Sequence, residues 1–372
     1  SSAFGFYCSL FCGIIFSLLC TMFQGPLLGL LGADSNTVAA TAGYLKWTVL
    51  FGAAPAILNV VMAYMVRSEG ASLHASVGTM SGCLLNIILD PIFILPWGLN
   101  MGAAGAGLAT FLSNCVACIY FFVLLYVRRK TTFVCILPRK FTMKKAIVLG
   151  MCGVGIPAAI QNLLNVTGMT ILNNFTSAYG AQEVAAMGIT QKINMVPLQV
   201  AMGFCQGIMP LISYNYASGN HKRMKETVSF TVKTLLPFLV AVSLVYYFGA
   251  GIMTRAFMDN DAIVAYGTRF LRGFCLGLPF MCMDFLAVGV FQAIGMGGAA
   301  LSFAILRKIV LEIPALYLLN WLFPLYGLAY AQFTAEFVLA AAAVIMLARI
   351  FGKMQKEDRK KQSAGQTGQN LL

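Results

Sequence analysis

An asparagine and an aspartate stand four residues apart inside an apolar run, in the segment NIILDPIFI. Residues at this spacing share one face of a helix, so Asn86 and Asp90 would bring an amide and a carboxylate side by side. Pro91 follows at once and has no N–H, which leaves the carbonyl of Ile87 without its helical donor. The result is a cluster of hard oxygen atoms that could hold a proton or Na⁺.

The composition indicates that these residues lie in a lipid bilayer. The chain has 372 residues, of which 59% are hydrophobic and only 10% are charged, whereas soluble domains carry about 25% charged residues. An ionised side chain at membrane depth costs about 2.5–3.5 kcal/mol, which makes Asp90 a candidate functional residue. The structural alternative is that Asp90 pairs with a basic residue or caps a kink.

Apolar runs long enough to cross a bilayer recur along the chain. Helices are the expected form, because a spanning segment must satisfy its backbone hydrogen bonds internally. The sequence therefore predicts an all-α polytopic membrane protein with ten spans. Their approximate ranges are 4–31, 38–66, 74–97, 103–127, 144–175, 182–213, 224–250, 261–293, 298–323 and 327–350.

Basic residues are concentrated in every second loop and in the C-terminal tail, and they account for the net charge of +13. The positive-inside rule puts these loops and the C-terminus in the cytoplasm, as expected for a multi-pass protein of a bacterial-type plasma membrane. The charge thus sets orientation, and no nucleic-acid partner is expected. The basic residues are Arg67, Arg128, Arg129, Lys130, Arg139, Lys140, Lys144, Lys145, Lys222, Arg223, Lys225, Lys353, Lys356, Arg359, Lys360 and Lys361.

Five matches in order indicate an internal repeat of parallel orientation, with offsets between 222 and 226 residues. The alternative is chance spacing of glycine and proline at helix ends. The repeat predicts two lobes and, because the spans at 144–175 and 182–213 lack upstream counterparts, about eighty further residues before Ser1, giving six spans per lobe in the natural protein. The matches are Lys46 with Arg272, Pro55 with Pro279, Gly70 with Gly295, Pro91 with Pro314 and Gly105 with Gly327.

The predicted domain boundaries follow from this repeat and from the basic segment between the lobes. The N-lobe covers 1–128 with four spans, and a cytoplasmic linker covers 129–143. The C-lobe covers 144–352 with six spans, and a cytoplasmic tail covers 353–372.

Three segments resemble the multidrug and toxic compound extrusion (MATE) family. They are NIILDPIFI with GAAGAGLAT, then GIPAAIQNLLNVTGMTILNN with AMGITQKINMVPLQVAMGFCQGIMPLISYNYASGNHKRM, and FQAIG with LRKIVLEIPALYLL and YGLAYAQFTAE. The resemblance implies two six-helix bundles around a central cavity, which export amphipathic and often cationic compounds by alternating access, driven by H⁺ or Na⁺. It also implies that Asn86, Asp90 and Thr110 form the cation site, with Na⁺ possible at Asp90.

The C-lobe departs from the pattern of some family members, because Asn165 stands where they carry a glutamate. This departure favours cation coupling in the N-lobe. Lys308 and Glu312, at i,i+4 spacing, are expected to form a structural ion pair. Lys192 is expected either to meet Asp284 or Glu336 or to face the cavity. The candidate substrate-cavity residues are Gln161, Asn165, Lys192, Gln206, Arg272 and Asp284.

An enzyme is not expected, because the sequence has two histidines and no constellation typical of a nucleophilic or metal-dependent active site. No cofactor is expected beyond the coupling ion. The alternative function is a lipid-linked saccharide flippase of the same superfamily, for which Lys192, Arg269 and Arg272 would bind pyrophosphate. The expected partners are a small amphipathic substrate and the bilayer, and the chain is expected to be a monomer.

Overall fold

The computed structural model describes residues 2–30 and 38–369, with side chains for these except 27, 29, 30 and 357–369. The regular elements in this part of the chain are helices, and they form two compact units, residues 1–148 and 149–372.

The first unit contains six helices, most of them apolar around their whole circumference. Between the last of these and the second unit lies a short 3₁₀ turn at Pro138–Lys140. The helices are α1 (Ser2–Met22), α2 (Gln24–Leu30), α3 (Val38–Leu45, extended as a π-helix over Lys46–Phe51), α4 (Ala53–Ser68), α5 (Ser72–Ile94) and α6 (Gly102–Val127).

The second unit contains most of α7 and seven further helices. They are α7 (Lys145–Ser177), α8 (Ala181–Ala217), α9 (His221–Phe257), α10 (Asp261–Cys275), α11 (Leu278–Ala293), α12 (Gly297–Ile305, extended as a π-helix over Leu306–Glu312), α13 (Ile313–Leu322) and α14 (Gly327–Gln369).

The helices agree with the predicted polytopic architecture. Among the described residues, seven helices are long and apolar enough to cross a membrane, and counting two bent helix pairs as spans brings the total to nine. The remaining predicted span, 298–323, corresponds to the continuous helical stretch 297–322. This stretch differs from the other spans in composition, because Arg307, Lys308 and Glu312 interrupt its apolar sequence.

Two bent helices carry the internal repeat. The chain bends by 50° between 38–51 and α4, and by 47° between α10 and α11. At the first bend a Cβ on Gly52 would lie 2.5 Å from the carbonyl oxygen of Trp47, so only glycine fits there. Gly277 stands at the second bend, 225 positions later.

The same side-chain hydrogen bond supports both bends. Ser17 donates to the carbonyl of Leu50 at 2.8 Å, and Ser243 donates to the carbonyl of Cys275 at 2.6 Å. Leu50 and Cys275 are 225 positions apart and each stands just before its bend. Because a bend frees backbone carbonyls from their helical donors, a serine from an earlier helix, α1 in the first unit and α9 in the second, satisfies one of them.

The backbone of the connecting turns repeats as well. Gly70 and Gly295 have φ values of 82° and 80°, and Asn100 and Leu325 have φ values of 51° and 68°. Both pairs are 225 positions apart. Positive φ is uncommon for a branched side chain such as Leu325, so its recurrence at the position of Asn100 indicates a turn that both repeats require.

A buried ion cluster joins α11, the π-helix after α12, and α14 inside the second unit. Arg307 Nη1 lies 2.8 Å from Asp284 Oδ2, and Arg307 Nε lies 2.8 Å from Glu336 Oε1. The second contact is an ion pair without a well-aimed hydrogen bond. The predicted pair is present too, with Lys308 Nζ 2.6 Å from Glu312 Oε2. Two cations therefore face three carboxylates, all buried.

The segment after α6 is attached to the first unit by Glu69 at the end of α4. Thr132 Oγ1 donates to the Glu69 carboxylate at 2.8 Å, the N–H of Val134 donates to Oε1 at 2.6 Å, and the N–H of Phe133 donates to the same oxygen. Tyr7 adds a hydrogen bond from its hydroxyl to the carbonyl of Ile136 at 2.8 Å. Part of the predicted linker 129–143 is therefore packed against the first unit.

The first prediction concerns this attachment. Glu69→Ala should speed tryptic cleavage after Arg128 and Arg129 by about fivefold or more, because hydrogen bonds to a charged group contribute about 1.5–3 kcal/mol each. Thr132→Val removes one donor and keeps the backbone donors, so its effect should be smaller. Time-resolved proteolysis of the detergent-solubilised protein measures both, and cleavage of Glu69→Ala at the wild-type rate would contradict the attachment.

The second prediction concerns the ion cluster. Arg307→Met should lower the free energy of unfolding by about 3–5 kcal/mol, because it leaves two buried carboxylates without a counter-charge. Adding Asp284→Asn and Glu336→Gln should recover most of that loss. Chemical unfolding in detergent measures the series.

A matched control for the cluster is Arg255→Met. Arg255 pairs with Asp259 and Asp261, whose side chains are 91% exposed, so this change should alter stability by less than about 1 kcal/mol. Equal losses for Arg307→Met and Arg255→Met would show that burial does not set the strength of the cluster.

Candidate functional site

The Asn86–Asp90 pair forms as the spacing predicts. Both residues lie on α5, one turn apart and half-buried, and Asn86 Nδ2 donates to Asp90 Oδ1 at 3.2 Å. The helix α5 continues through Pro91 to Ile94. Since proline offers no N–H, the carbonyl of Ile87 lacks its usual helical donor within one turn of the carboxylate.

Small residues set the register between α5 and α6. A Cβ on Gly78 would lie 2.5 Å from the Phe121 ring, a Cβ on Gly82 would lie 3.1 Å from the carbonyl oxygen of Ser113, and Gly105 packs against the carbonyl of Phe93. The two helices are thus antiparallel and in close contact along their length.

This register brings Thr110 to the height of the Asn86–Asp90 pair. Residue numbers in contact across the two helices add to about 198, so position 110 on α6 is level with position 88 on α5. Position 88 lies between Asn86 and Asp90. The three residues that the resemblance implies as a cation site therefore lie at one height of the α5–α6 contact, where a hydrogen bond joins Asn86 to Asp90 and the hydrogen bonds of Thr110 stay within α6.

Thr110 also belongs to a polar chain that sequence reasoning missed. Its hydroxyl donates to the carbonyl of Ala106 at 3.0 Å, and its own carbonyl accepts from Asn114 Nδ2 at 3.0 Å. Asn114 Oδ1 in turn accepts from Asn59 Nδ2 of α4 at 3.1 Å. The available signal was the i,i+4 spacing of Thr110 and Asn114, but Asn59 could not be linked to them without knowing which helices pack together.

Two buried polar atoms, one of Asn59 and one of Ser113, the neighbour of Asn114 in sequence, have no hydrogen-bond partner among the described protein atoms. They are Asn59 Oδ1 and Ser113 Oγ. Buried polar atoms are usually satisfied, so such atoms indicate a place for water or an ion. Oxygen atoms of the type that a proton or an alkali cation prefers therefore occur both along these hydrogen bonds and in the Asn86–Asp90 pair.

The uncharged candidates of the second unit lie along α7 and α8. Gln161 accepts a hydrogen bond from Gln292 Nε2 of α11 at 3.3 Å. This bond links α7 to α11, the second half of the bent pair α10–α11. Asn165 is half-buried one turn further along α7, and Gln206 is half-buried on α8.

The charged candidates have different surroundings. Lys192 is exposed on α8, and the carboxylates of Asp284 and Glu336 are bound by Arg307. Arg272 donates from Nε to the carbonyl of Tyr247 at 3.1 Å, and its guanidinium carbon lies 5.4 Å from the centre of the Tyr247 ring. Asp284 therefore contributes to the ion cluster that holds the unit together.

Comparisons with known proteins agree on one family. The sequence profile of the MatE family matches residues 1–92 and 157–318. The multidrug export protein MepA of Staphylococcus saprophyticus is 34% identical over 349 residues, which cover 93% of this chain and 75% of that protein.

Solved structures show the same fold. A MOP superfamily transporter from Pyrococcus furiosus superposes with a TM-score of 0.89 at 23% identity, over 95% of this chain and 79% of that chain. An outward-facing multidrug resistance MATE family transporter gives a TM-score of 0.87 at 24% identity over the same shares.

The profile match covers more than half of the chain, the relative is similar along nearly all of it, and both observations agree with the quoted motifs. The chain therefore belongs to the MatE family and has the fold of that family's transporters.

Proposed function

We propose that this chain exports amphipathic, often cationic compounds across a membrane in exchange for H⁺ or Na⁺. The observation that carries the proposal is the 34% identity, over 93% of the chain, to a protein described as a multidrug export protein. The Asn86–Asp90 pair supplies the chemistry for coupling, because it is an ionisable group held within an otherwise apolar helix.

Asp90 is the proposed coupling residue because its charge can be neutralised reversibly. The side-chain amide of Asn86 donates from Nδ2 and stabilises the ionised carboxylate through a charge-assisted hydrogen bond. Binding of H⁺ or Na⁺ removes the net charge and with it the cost of holding that charge at membrane depth. Half-burial of Asp90 fits this role, since a group sealed from water could not exchange its ion.

The bound ion would act on the transport cycle through the helix that carries Asp90. An ion shifts a conformational equilibrium only by its differential affinity for the two states. The Ile87 carbonyl, which Pro91 leaves without a helical donor, makes α5 easier to bend at this height. We propose that binding of H⁺ or Na⁺ to Asp90 changes the bend of α5. The bound ion would thereby favour either the inward-facing or the outward-facing state over the other.

The proposed division of labour gives coupling to the N-lobe (1–128) and substrate contact to the C-lobe (144–352). Lys192, Gln161, Asn165, Gln206 and Arg272 remain the proposed substrate-facing residues.

The proposed location is a bacterial-type plasma membrane, with the basic loops and the C-terminus in the cytoplasm. A monomer within the bilayer is sufficient for this mechanism. The flippase alternative requires free basic groups for a pyrophosphate. Two of its three residues weaken it, because Arg269 and Arg272 stack on the rings of Tyr326 and Tyr247, at 4.8 and 5.4 Å from the ring centres, whereas Lys192 is exposed.

The third prediction tests Asp90. In an efflux-deficient host, Asp90→Asn should abolish ethidium export and the associated resistance while leaving membrane insertion intact, because the amide can neither bind nor release a cation. The matched control is Asp261→Asn, whose carboxylate is 91% exposed at the start of α10. Ethidium export at the wild-type rate by Asp90→Asn would contradict the proposed coupling role.

The fourth prediction separates a liganding role of Thr110 from a packing role. Thr110→Val keeps the shape and loses the hydroxyl, whereas Thr110→Ser keeps the hydroxyl and loses the methyl group. If the hydroxyl binds the cation, the valine variant should weaken cation affinity by about tenfold, or about 1.4 kcal/mol, and the serine variant should bind normally. The opposite order in a cation-dependence assay of transport would show that Thr110 only packs.

A further inference from the structure

A cleft of about 670 Å³ lies between the first turns of α9 and the far end of the apolar part of α14. One wall carries Lys222, Lys225, Ser229 and Lys233 of α9, and the floor is made by Phe351 and Met354 of α14. The volume is typical of a small-molecule site, and none of these residues takes part in the proposed coupling site.

The basic wall follows from the spacing of residues on α9. Lys222, Lys225, Ser229 and Lys233 recur at three- or four-residue intervals and so share one side of the helix. Met224 and Val228 face the opposite way and are buried in the core of the second unit, together with Met354. The cleft is thus fixed in shape by the packing of α9 on α14.

Its depth in the membrane follows from the length of the uncharged sequence. Lys233 and Arg255 bracket a stretch of α9, 234–254, that has no charged residue. At 1.5 Å per residue this stretch is about 31 Å long, which equals the thickness of the hydrocarbon core. On α14, Arg349 ends the apolar run two residues before Phe351. The end of the cleft at Lys233 and Phe351 therefore lies at the edge of the hydrocarbon core, and Lys222 lies about 16 Å further out along α9.

The charge of the cleft selects the chemistry of its ligand. Three lysines face one carboxylate, that of Glu226, so the wall is net positive. The floor is apolar, and the exposed ring of Phe230 extends the apolar surface on α9. An occupant with an anionic group beside an apolar chain satisfies both surfaces, whereas a cationic amphiphile of the kind proposed for export would be repelled.

We propose that this cleft binds an anionic phospholipid, with the headgroup phosphate on Lys233 and the upper acyl chain on Phe230, Phe351 and Met354. Lys225 and Lys222, further out along α9, attract the negative headgroup at longer range. The level of the cleft and its two-sided polarity favour a lipid over a soluble phosphate compound. Each basic residue near the surface contributes about fivefold to the affinity for an anionic lipid.

The test is native mass spectrometry of the purified protein with phosphatidylglycerol, phosphatidylcholine or glycerophosphate added separately. The wild-type protein should retain phosphatidylglycerol in preference to the other two. The variant Lys222→Gln, Lys225→Gln, Lys233→Gln should bind phosphatidylglycerol at least about tenfold more weakly. Replacing the same three lysines with arginine should preserve binding and shows that the fold tolerates changes there.

A matched control removes three basic residues outside the cleft, by Lys130→Gln, Arg139→Gln and Lys140→Gln, and should leave phosphatidylglycerol binding unchanged. The proposal is overturned if the cleft variant and this control lose binding equally, because the effect would then come from overall charge. Retention of glycerophosphate as strong as that of phosphatidylglycerol overturns the lipid assignment, and so does equal retention of phosphatidylcholine. Each outcome is independent of drug export.

Discussion

A charged side chain within the hydrocarbon core must find its partners inside the protein, and the two units of this chain meet that requirement in opposite ways. In the second unit, Arg307 and Lys308 are surrounded by three carboxylates, and the five side chains are at most 9% exposed. In the first unit, Asp90 is half-buried, and its described partner is an uncharged amide. The first arrangement holds helices together, whereas the second leaves a charge that an ion can neutralise.

This contrast explains why two units with the same repeated framework differ in their proposed roles. Both share a bent helix, a serine bonded to the carbonyl before the bend, and turns of matching backbone conformation. They differ in their polar groups. Helix α5 carries Asn86 and Asp90, whereas the stretch 225 positions later carries Arg307, Lys308 and Glu312. A common scaffold with different polar groups is what a transporter with ion coupling in one lobe and substrate contact in the other would require.

Much of the fold could be predicted from the sequence because a bilayer restricts a spanning chain to few forms. Hydropathy was sufficient for the helices. Of the five matched pairs, Gly70 and Gly295 have the 225-residue offset at which the turns and bends recur. The i,i+4 pairs Asn86–Asp90 and Lys308–Glu312 were predictable because helix geometry alone brings such residues together. The partners of Arg307 and the link between Asn59 and Asn114 join different helices, so their recognition required the packing.

The central claim is that Asp90 gains or loses one cation during each transport cycle. The most direct measurement is the number of protons, or of Na⁺ ions, that the purified protein releases when substrate is added in weakly buffered solution. Because coupling between two ligands is reciprocal, the wild-type protein should release about one cation per substrate bound, and Asp90→Asn should release none while it still binds substrate. An unchanged stoichiometry in Asp90→Asn would contradict the account.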